Sequence, residues 1–522
     1  MASANRLQMR ICLLVWILSG WLWARPLSFP YREAGLKPEE AAAHLLNRFA
    51  YGPQPGQVEE LVSSGLETWF ENQLRAPAGG FDSEFPLLVS DPRQLGQFKL
   101  RRAVNSRWQV REVMTDFWFN HFNVSTTDDD CRKYVAAYER EAIAPNALAP
   151  FVKILKATAH HPAMLYYLDN AYSTWEDGYT APDYSYDPLH YGNRKPANYR
   201  PKTNPNKRGL NENYARELLE LHTLGVDGGY RQQDVTELAR ILTGWTVEKD
   251  AFLFQPERHD PGPKKLLYQK IPPTGQNEGE KALETLAGHL STARFISRKL
   301  AVRFVGDQPA QKLLDRLQRK FLSSHGDTRQ LLETLVESPE FWARETIGAK
   351  IKSPFELEAS SLRILGAELA PDSEVAGWLA GMGQEVYACR PPTGWPDKPE
   401  TWLTPGTLVQ RLSFAHRVAD GSLRGLKLDL AKIHPSQPMK TAPAALQAYA
   451  EKLLPGRAVS ETVKLLQDGA SDPNYRLVVL ETSRRGQKTI PKPNPKANFE
   501  FTHQAEVNIV GLLLGCPEFQ RR

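Results

Sequence analysis

Cysteine is scarce in this chain: four in 522 residues, with no CxxC pair and no CxxCH. Zinc knots built on paired thiols and c-type haem attachment are thereby excluded. Cys12 lies in the N-terminal apolar run, which leaves Cys131, Cys389 and Cys516. Those three admit one disulfide at most, or three buried free thiols. Catalytic signatures are missing too: there is no P-loop, no GxGxxG followed by a fitting acid, no GxSxG elbow and no HExxH. Excess charge is lacking, since 65 Lys and Arg face 60 Asp and Glu for a net +5. That is too little for a nucleic-acid binder. Beyond the N-terminus, no apolar run approaches the roughly 20 residues that a membrane span needs.

At the N-terminus, Arg6 and Arg10 precede an apolar run from Ile11 to Trp23, and small Ala24 follows. The run is about 13 residues, short for a span, and reads as a secretory signal over residues 1–24. The expected location is therefore periplasmic or secreted after cleavage near Ala24; an uncleaved anchor is the alternative.

Apolar residues recur at three- and four-residue spacing over Glu39–Phe49, Val58–Leu74, Trp108–Phe122, Ala142–Ala159, Asn211–Leu224, Gln233–Leu242, Ala293–Phe304 and Asp327–Glu337. Alternating runs are few: Phe252–Phe254, Leu266–Tyr268 and Arg476–Glu481. The pattern predicts a mainly α, large multi-helix globular protein with one or two small β-hairpins. It divides into an N-terminal helical region (37–171), a Tyr- and Pro-rich loop (172–206), a central helical region (207–345) and a C-terminal helical region (346–522). The last carries a basic, Pro-rich linker at 484–498. LLETLVESPEFWAR and NIVGLLLGCPEFQRR echo one another as an apolar helix followed by Pro-Glu-Phe, from duplication or from two similar terminators.

Two segments are dense in polar groups. In NENYARELLELHTLG, Asn211 is an N-cap candidate, and Asn213, Glu217 and Glu220 share a face. His222 points roughly 200° from Glu220 at about 100° per residue, so the two form no chelate on one helix. In EVMTDFWFNHFNV, His121 falls on the inward face with Phe117 and Trp118, while Asp116 and Asn120 sit on a neighbouring one. His161, before Pro162, and His289 stand at helix starts, and His259-Asp260 lies in a loop. Each is read as a cap, turn or buried hydrogen-bonded residue, or as a ligand. Gathered by the fold, His121, His161, His222, His259 and Asp260 would make a divalent metal site. Asp227 and Asp234 lack the EF-hand spacing. Arg294, Arg298, Lys299 and Arg303 form a basic helix face, solvated or anion-binding.

The segments AAHLLNRFAYGP, FWFNHFNV, HPAMLYYLDN, RGLNENYARELLELHTLGVDGGY, ARILTGW, HDPGPKKLL, STARFISRKLAVRFVGD and PEFQRR together resemble the bacterial DUF1800 family, from about residue 40 to the end. The resemblance implies a large exported bacterial protein without an established activity. It also implies a working partner that is exported and sulfatase-like. Phe119 stands where relatives carry histidine, Arg231 replaces a Ser or Thr cap, and Leu290 replaces a proline. The first change weakens any metal site on that helix.

Two functions remain open. One is an exported metal-dependent enzyme acting on a cell-surface or extracellular polymer, with Glu217 as general base and His121 assisting. The other is a non-catalytic envelope protein whose polar motifs are buried networks. In either, Tyr184, Tyr186 and Trp245 are the candidate contacts to polysaccharide.

Overall fold

A computed structural model describes residues 26–77, 91–175, 209–436, 439–471 and 501–522. The expected signal at 1–24, nearly all of the expected loop 172–206 with Tyr184 and Tyr186, the expected linker 484–498 and the strand candidate Arg476–Glu481 lie outside the described residues. The chain is mainly α, with three two-stranded antiparallel sheets among the described residues. One hydrophobic core runs from Phe29 to Phe519. Near its middle, Phe49 stacks on Phe304 at 4.4 Å between ring centres, with Phe70 and Phe341 packed around them.

Several expected helices are subdivided for local reasons. Val58–Leu74 is two helices, Gln57–Ser64 and Leu66–Leu74, because Gly65 takes φ +93° between them. Ala142–Ala159 is also broken: Pro145 falls in a short 3₁₀ turn and Pro150 precedes the helix Phe151–Ala159. Proline lacks the amide proton that would carry a helix through. The helix expected over Asn211–Leu224 is regular only over Asn213–Glu217 and becomes a π turn over Leu218–Thr223. The N-cap position falls on Glu212 rather than the expected Asn211, which sits one residue earlier with its Oδ1 accepting from the Asn213 amide at 2.8 Å. His289 and His161 cap their helices likewise, each Nδ1 accepting from the backbone amide two residues on, at 3.1 Å.

Two tight hairpins supply most of the sheet. Trp245–Glu248 pairs with Ala251–Phe254 across Lys249 and Asp250, both at positive φ. Lys264–Leu266 pairs with Gln269–Ile271 across Leu267 and Tyr268, also at positive φ. The second corrects the expected strand Leu266–Tyr268, whose last two residues are the turn. Two consecutive positive-φ residues match the strand twist of a two-residue hairpin. The third sheet joins Glu368–Leu369 to Leu426–Lys427. All three described cysteines are buried and unpaired.

Trp245, a candidate polysaccharide contact, is a core residue instead. It is fully buried, packing on His160 at 4.8 Å and Phe252 at 5.3 Å. The helix Gln276–Ala287 crosses it at Gly279, where an added Cβ would sit 2.1 Å from the indole ring. Gly279→Ala sets a gain of about 1 kcal/mol in helix propensity against overpacking of about 1–3 kcal/mol. The indole cannot retreat, so the variant unfolds at a lower temperature than wild type. A higher melting temperature would show that the core has room there.

Candidate functional site

The FWFNHFNV segment closes the helix Gln109–His121 and runs into the turn beyond it. Its asparagines act on the chain far downstream. Asn120 holds both backbone groups of Trp395, donating to the carbonyl at 2.9 Å and accepting from the amide at 2.7 Å. Asn123 donates to the carbonyls of Cys389 and Pro391 at 3.0 and 2.9 Å. Gly394, at φ +73°, lies so close that an added Cβ would be 2.2 Å from the Asn120 carbonyl oxygen. The segment 389–395 is thus pinned as one wall of a cleft of about 340 Å³. That volume is within the roughly 300–1,000 Å³ usual for small-molecule sites.

The floor of the cleft is an ion network. Lys99, from helix Pro92–Asn105, reaches Asp116 at 2.7 Å and the fully buried Glu139 at 3.5 Å. Its ammonium also lies 5.0–5.5 Å from the ring centres of Phe119, Tyr387 and Phe355. Arg102 bridges Glu112 at 2.9 Å and Glu139 at 2.8 Å, and the Tyr387 hydroxyl donates to Glu139 at 3.0 Å. Burial opposes the charge on Lys99, but Asp116 and Glu139 outweigh it and hold the ammonium above its usual range. Burial likewise opposes the charge on Glu139, and Lys99 and Arg102 outweigh it.

The opposite side is the helix Leu290–Phe304, whose basic face divides by partner. Arg294 and Arg298 are exposed. Arg303 pairs with Glu356, which Arg522 also contacts at 2.9 Å. Burial works against the Glu356 carboxylate, yet the two guanidiniums hold it at about 2. Lys299 lines the cleft and has no carboxylate within ion-pair distance among the described residues. Its ammonium donates to Nδ1 of His121 at 2.9 Å. Burial lowers it to about 8, with Asp397 pulling the other way. Asp397 itself is engaged by Lys350 at 2.9 Å.

His121 sits behind Lys299, buried at 1 % exposure. Its Nε2 meets the His222 carbonyl at 3.0 Å, so Nε2 carries the proton and Nδ1 is the acceptor. Burial, then the Lys299 charge, keeps the ring neutral far below the ordinary histidine range. Both nitrogens are therefore committed, one of them to a cation, and the residue does not fit a metal ligand.

The other expected metal residues are placed apart. His222 is the one residue of the set brought beside His121, at 6.2 Å between rings; burial lowers it to about 3. His161 is a cap, edge-on to Tyr138. His259 is bound by the Thr243 carbonyl at 2.9 Å and lies 3.2 Å from both Glu278 and Lys264. Asp260 is buried against Arg240 at 2.5 Å. No group of three His, Cys, Asp or Glu side chains suited to a metal occurs among the described residues.

A family model matches residues 44–521 with the description "Protein of unknown function (DUF1800)". The chain belongs to the DUF1800 family. No curated protein and no solved structure matches it. Within this DUF1800 chain, Phe119 is informative: it lines the cleft, edge-on to Tyr387 at 4.9 Å and beneath Lys99.

Sequence reasoning missed Lys99, Glu139, Glu356 and Tyr387. They come from distant segments, and neither spacing nor composition joins them. Lys299 was visible only as one of four cations on a helix face. The contrast inside that face, one cation turned inward and unpaired, exists only in three dimensions.

Glu217 is half-buried outside the cleft lining and makes no ion pair or hydrogen bond among the described residues. Burial, then Glu220, raises it to about 7 from 4.5. A raised carboxyl contributes stability fully below its unfolded value and loses it as pH climbs through the folded one. Glu217→Gln therefore stabilises by on the order of 1 kcal/mol at about pH 8 and by nothing at about pH 4. Thermal melts at both pH values check this; an equal effect at the two would contradict it.

Proposed function

We propose that this chain is an exported protein whose cleft binds an anionic, ring-bearing ligand. The ligand class it suits is an acidic or sulfated sugar unit of a cell-surface or extracellular polymer. The observation that carries the reading is Lys299, a partly buried lysine lining the cleft with no carboxylate within ion-pair distance among the described residues. A cation held in apolar surroundings gains more from an incoming anion than one in water, because the local dielectric is low. Exposed Arg298 on the same rim adds to the attraction. Phe119, Phe355, Tyr387, Trp395 and Trp402 supply flat apolar faces for a sugar ring, while Asp116 and Gln384 supply polar edges. An aromatic-lined cleft with a few converging polar groups is the ordinary form of a ligand site.

Export comes from the N-terminal signal pattern, Arg6 to Ala24. The exported sulfatase-like partner implied by the family resemblance fits a ligand of this charge. A metal-dependent reaction centred on His121 gains no support, because its ring nitrogens are committed to a carbonyl and an ammonium.

Calorimetric titration of oligosaccharides matched in length, sulfated, uronate-containing and neutral, tests the reading. The acidic ones bind more tightly than the neutral one, and Lys299→Met removes at least tenfold of that preference, about 1.4 kcal/mol. Equal affinity for neutral and acidic ligands, or a preference that survives Lys299→Met, would overturn it.

A further inference from the structure

Lys299 differs from the other lysines of the cleft region in what surrounds its nitrogen. Lys99 is locked between two carboxylates, and Lys350 between Asp307 at 2.6 Å and Asp397 at 2.9 Å. Lys352 also has no carboxylate within ion-pair distance among the described residues, and burial lowers it to about 7. It lies outside the cleft lining, however, at 4 % exposure beside the Phe519 ring, 3.8 Å away. Lys299 alone of the four is unpaired by carboxylate, open to the cleft and held at a fixed point by a neutral imidazole.

The tautomer of His121 decides what that contact does. Its Nε2 hydrogen goes to the His222 carbonyl, so Nδ1 offers a lone pair and takes one N–H from Lys299. An uncharged amine donating one hydrogen there still has its own lone pair free, and the cleft is the open side. His121 is thus a positioning residue that aims the amine without sharing its proton. The lowered pKa of about 8 adds that an appreciable share of Lys299 is free amine near neutral pH.

We propose that Lys299 is a nucleophile that condenses with an aldehyde or ketone carbon of a ligand seated in the cleft, forming an imine. The amine lone pair attacks the carbonyl carbon and a C–N bond forms. The carbonyl oxygen takes up protons and leaves as water, and the two hydrogens of the amine are lost in that exchange. The proton shed earlier by the ammonium passes to cleft water. No oxidant or reductant is needed. Burial that favours the free amine is the established way to activate a lysine for this chemistry. The inference rests on the cleft being a ligand site, and it adds that the ligand carries a reactive carbonyl, as the open-chain reducing end of a sugar does.

The test uses the whole protein and pyridoxal 5′-phosphate, an aromatic aldehyde that also carries a phosphate. After brief exposure at substoichiometric reagent, borohydride reduction fixes any imine, and peptide mapping locates it. Lys299 carries the adduct at least tenfold above the mean of the exposed lysines, and Lys352 carries none. Lys299→Arg, which keeps the charge, melts like wild type and loses the selective adduct. His121→Phe slows labelling of Lys299 severalfold, and His121→Gln, which restores an acceptor, recovers most of the rate. Labelling of Lys299 no faster than surface lysines overturns the imine. In that event the titration with acidic oligosaccharides still decides the binding reading, because it needs no carbonyl chemistry.

Discussion

The carboxylate of Glu139 is the constraint on which the cleft depends. It is fully buried at the start of a π turn, Glu139–Ile143, and reaches a lysine, an arginine and a tyrosine from two other segments. Through Lys99 and Arg102 it fixes the helix Pro92–Asn105, and through Asp116 and Glu112 those cations fix the helix Gln109–His121. Through Tyr387 it fixes the start of the segment that Asn120 and Asn123 then pin as the wall. A buried ion pair is weak evidence of net stability, since desolvation offsets attraction. It does fix geometry, because no member can leave without stranding another charge. The cleft floor is therefore set before any ligand arrives.

Against that rigid side, the helix Leu290–Phe304 offers a cation of the opposite character. Lys99 is charged and satisfied; Lys299 is neither neutralised nor sealed. The difference follows from what lies behind each. Behind Lys99 stand carboxylates, which raise its hold on a proton. Behind Lys299 stands a neutral imidazole, which holds position and leaves the proton labile. Placing one lysine for architecture and another for chemistry within a single cleft is what buried charge can do when partners are distributed unevenly.

Much of the architecture was legible in the chain. The three- and four-residue spacing located helices such as Gln109–His121, Gln232–Leu242 and Leu290–Phe304 but not Pro92–Asn105, which carries Lys99 and Arg102, nor Pro354–Ile364 and Pro405–Ala419. The separation of Glu220 from His222 held, His222 being buried while Glu220 is half-exposed and meets Tyr230. Helix interruptions at Gly65, Pro145 and Pro150 were written in the residue types but hidden beneath continuous apolar periodicity. The FWFNHFNV motif announced itself by density, though its asparagines proved to be backbone clamps, and His121 a support for lysine. What was not legible is convergence. Glu139 has no unusual neighbours in sequence, and its partners lie tens to hundreds of residues away. His161, His222, His259 and Asp260 looked alike as candidates, yet each satisfies a different local need: a cap, a core packing, a hairpin brace and an arginine.

Equilibrium denaturation of Glu139→Ala, read alongside Glu139→Ala combined with Lys99→Met, shows whether the buried carboxylate holds the cleft floor. The single change takes a partner from buried Lys99 and from largely buried Arg102. It lowers stability by about 3–5 kcal/mol, and the second change recovers a measurable part of the loss. A single variant within about 0.5 kcal/mol of wild type would contradict the account, because the cleft would then stand without the charge that is said to hold it.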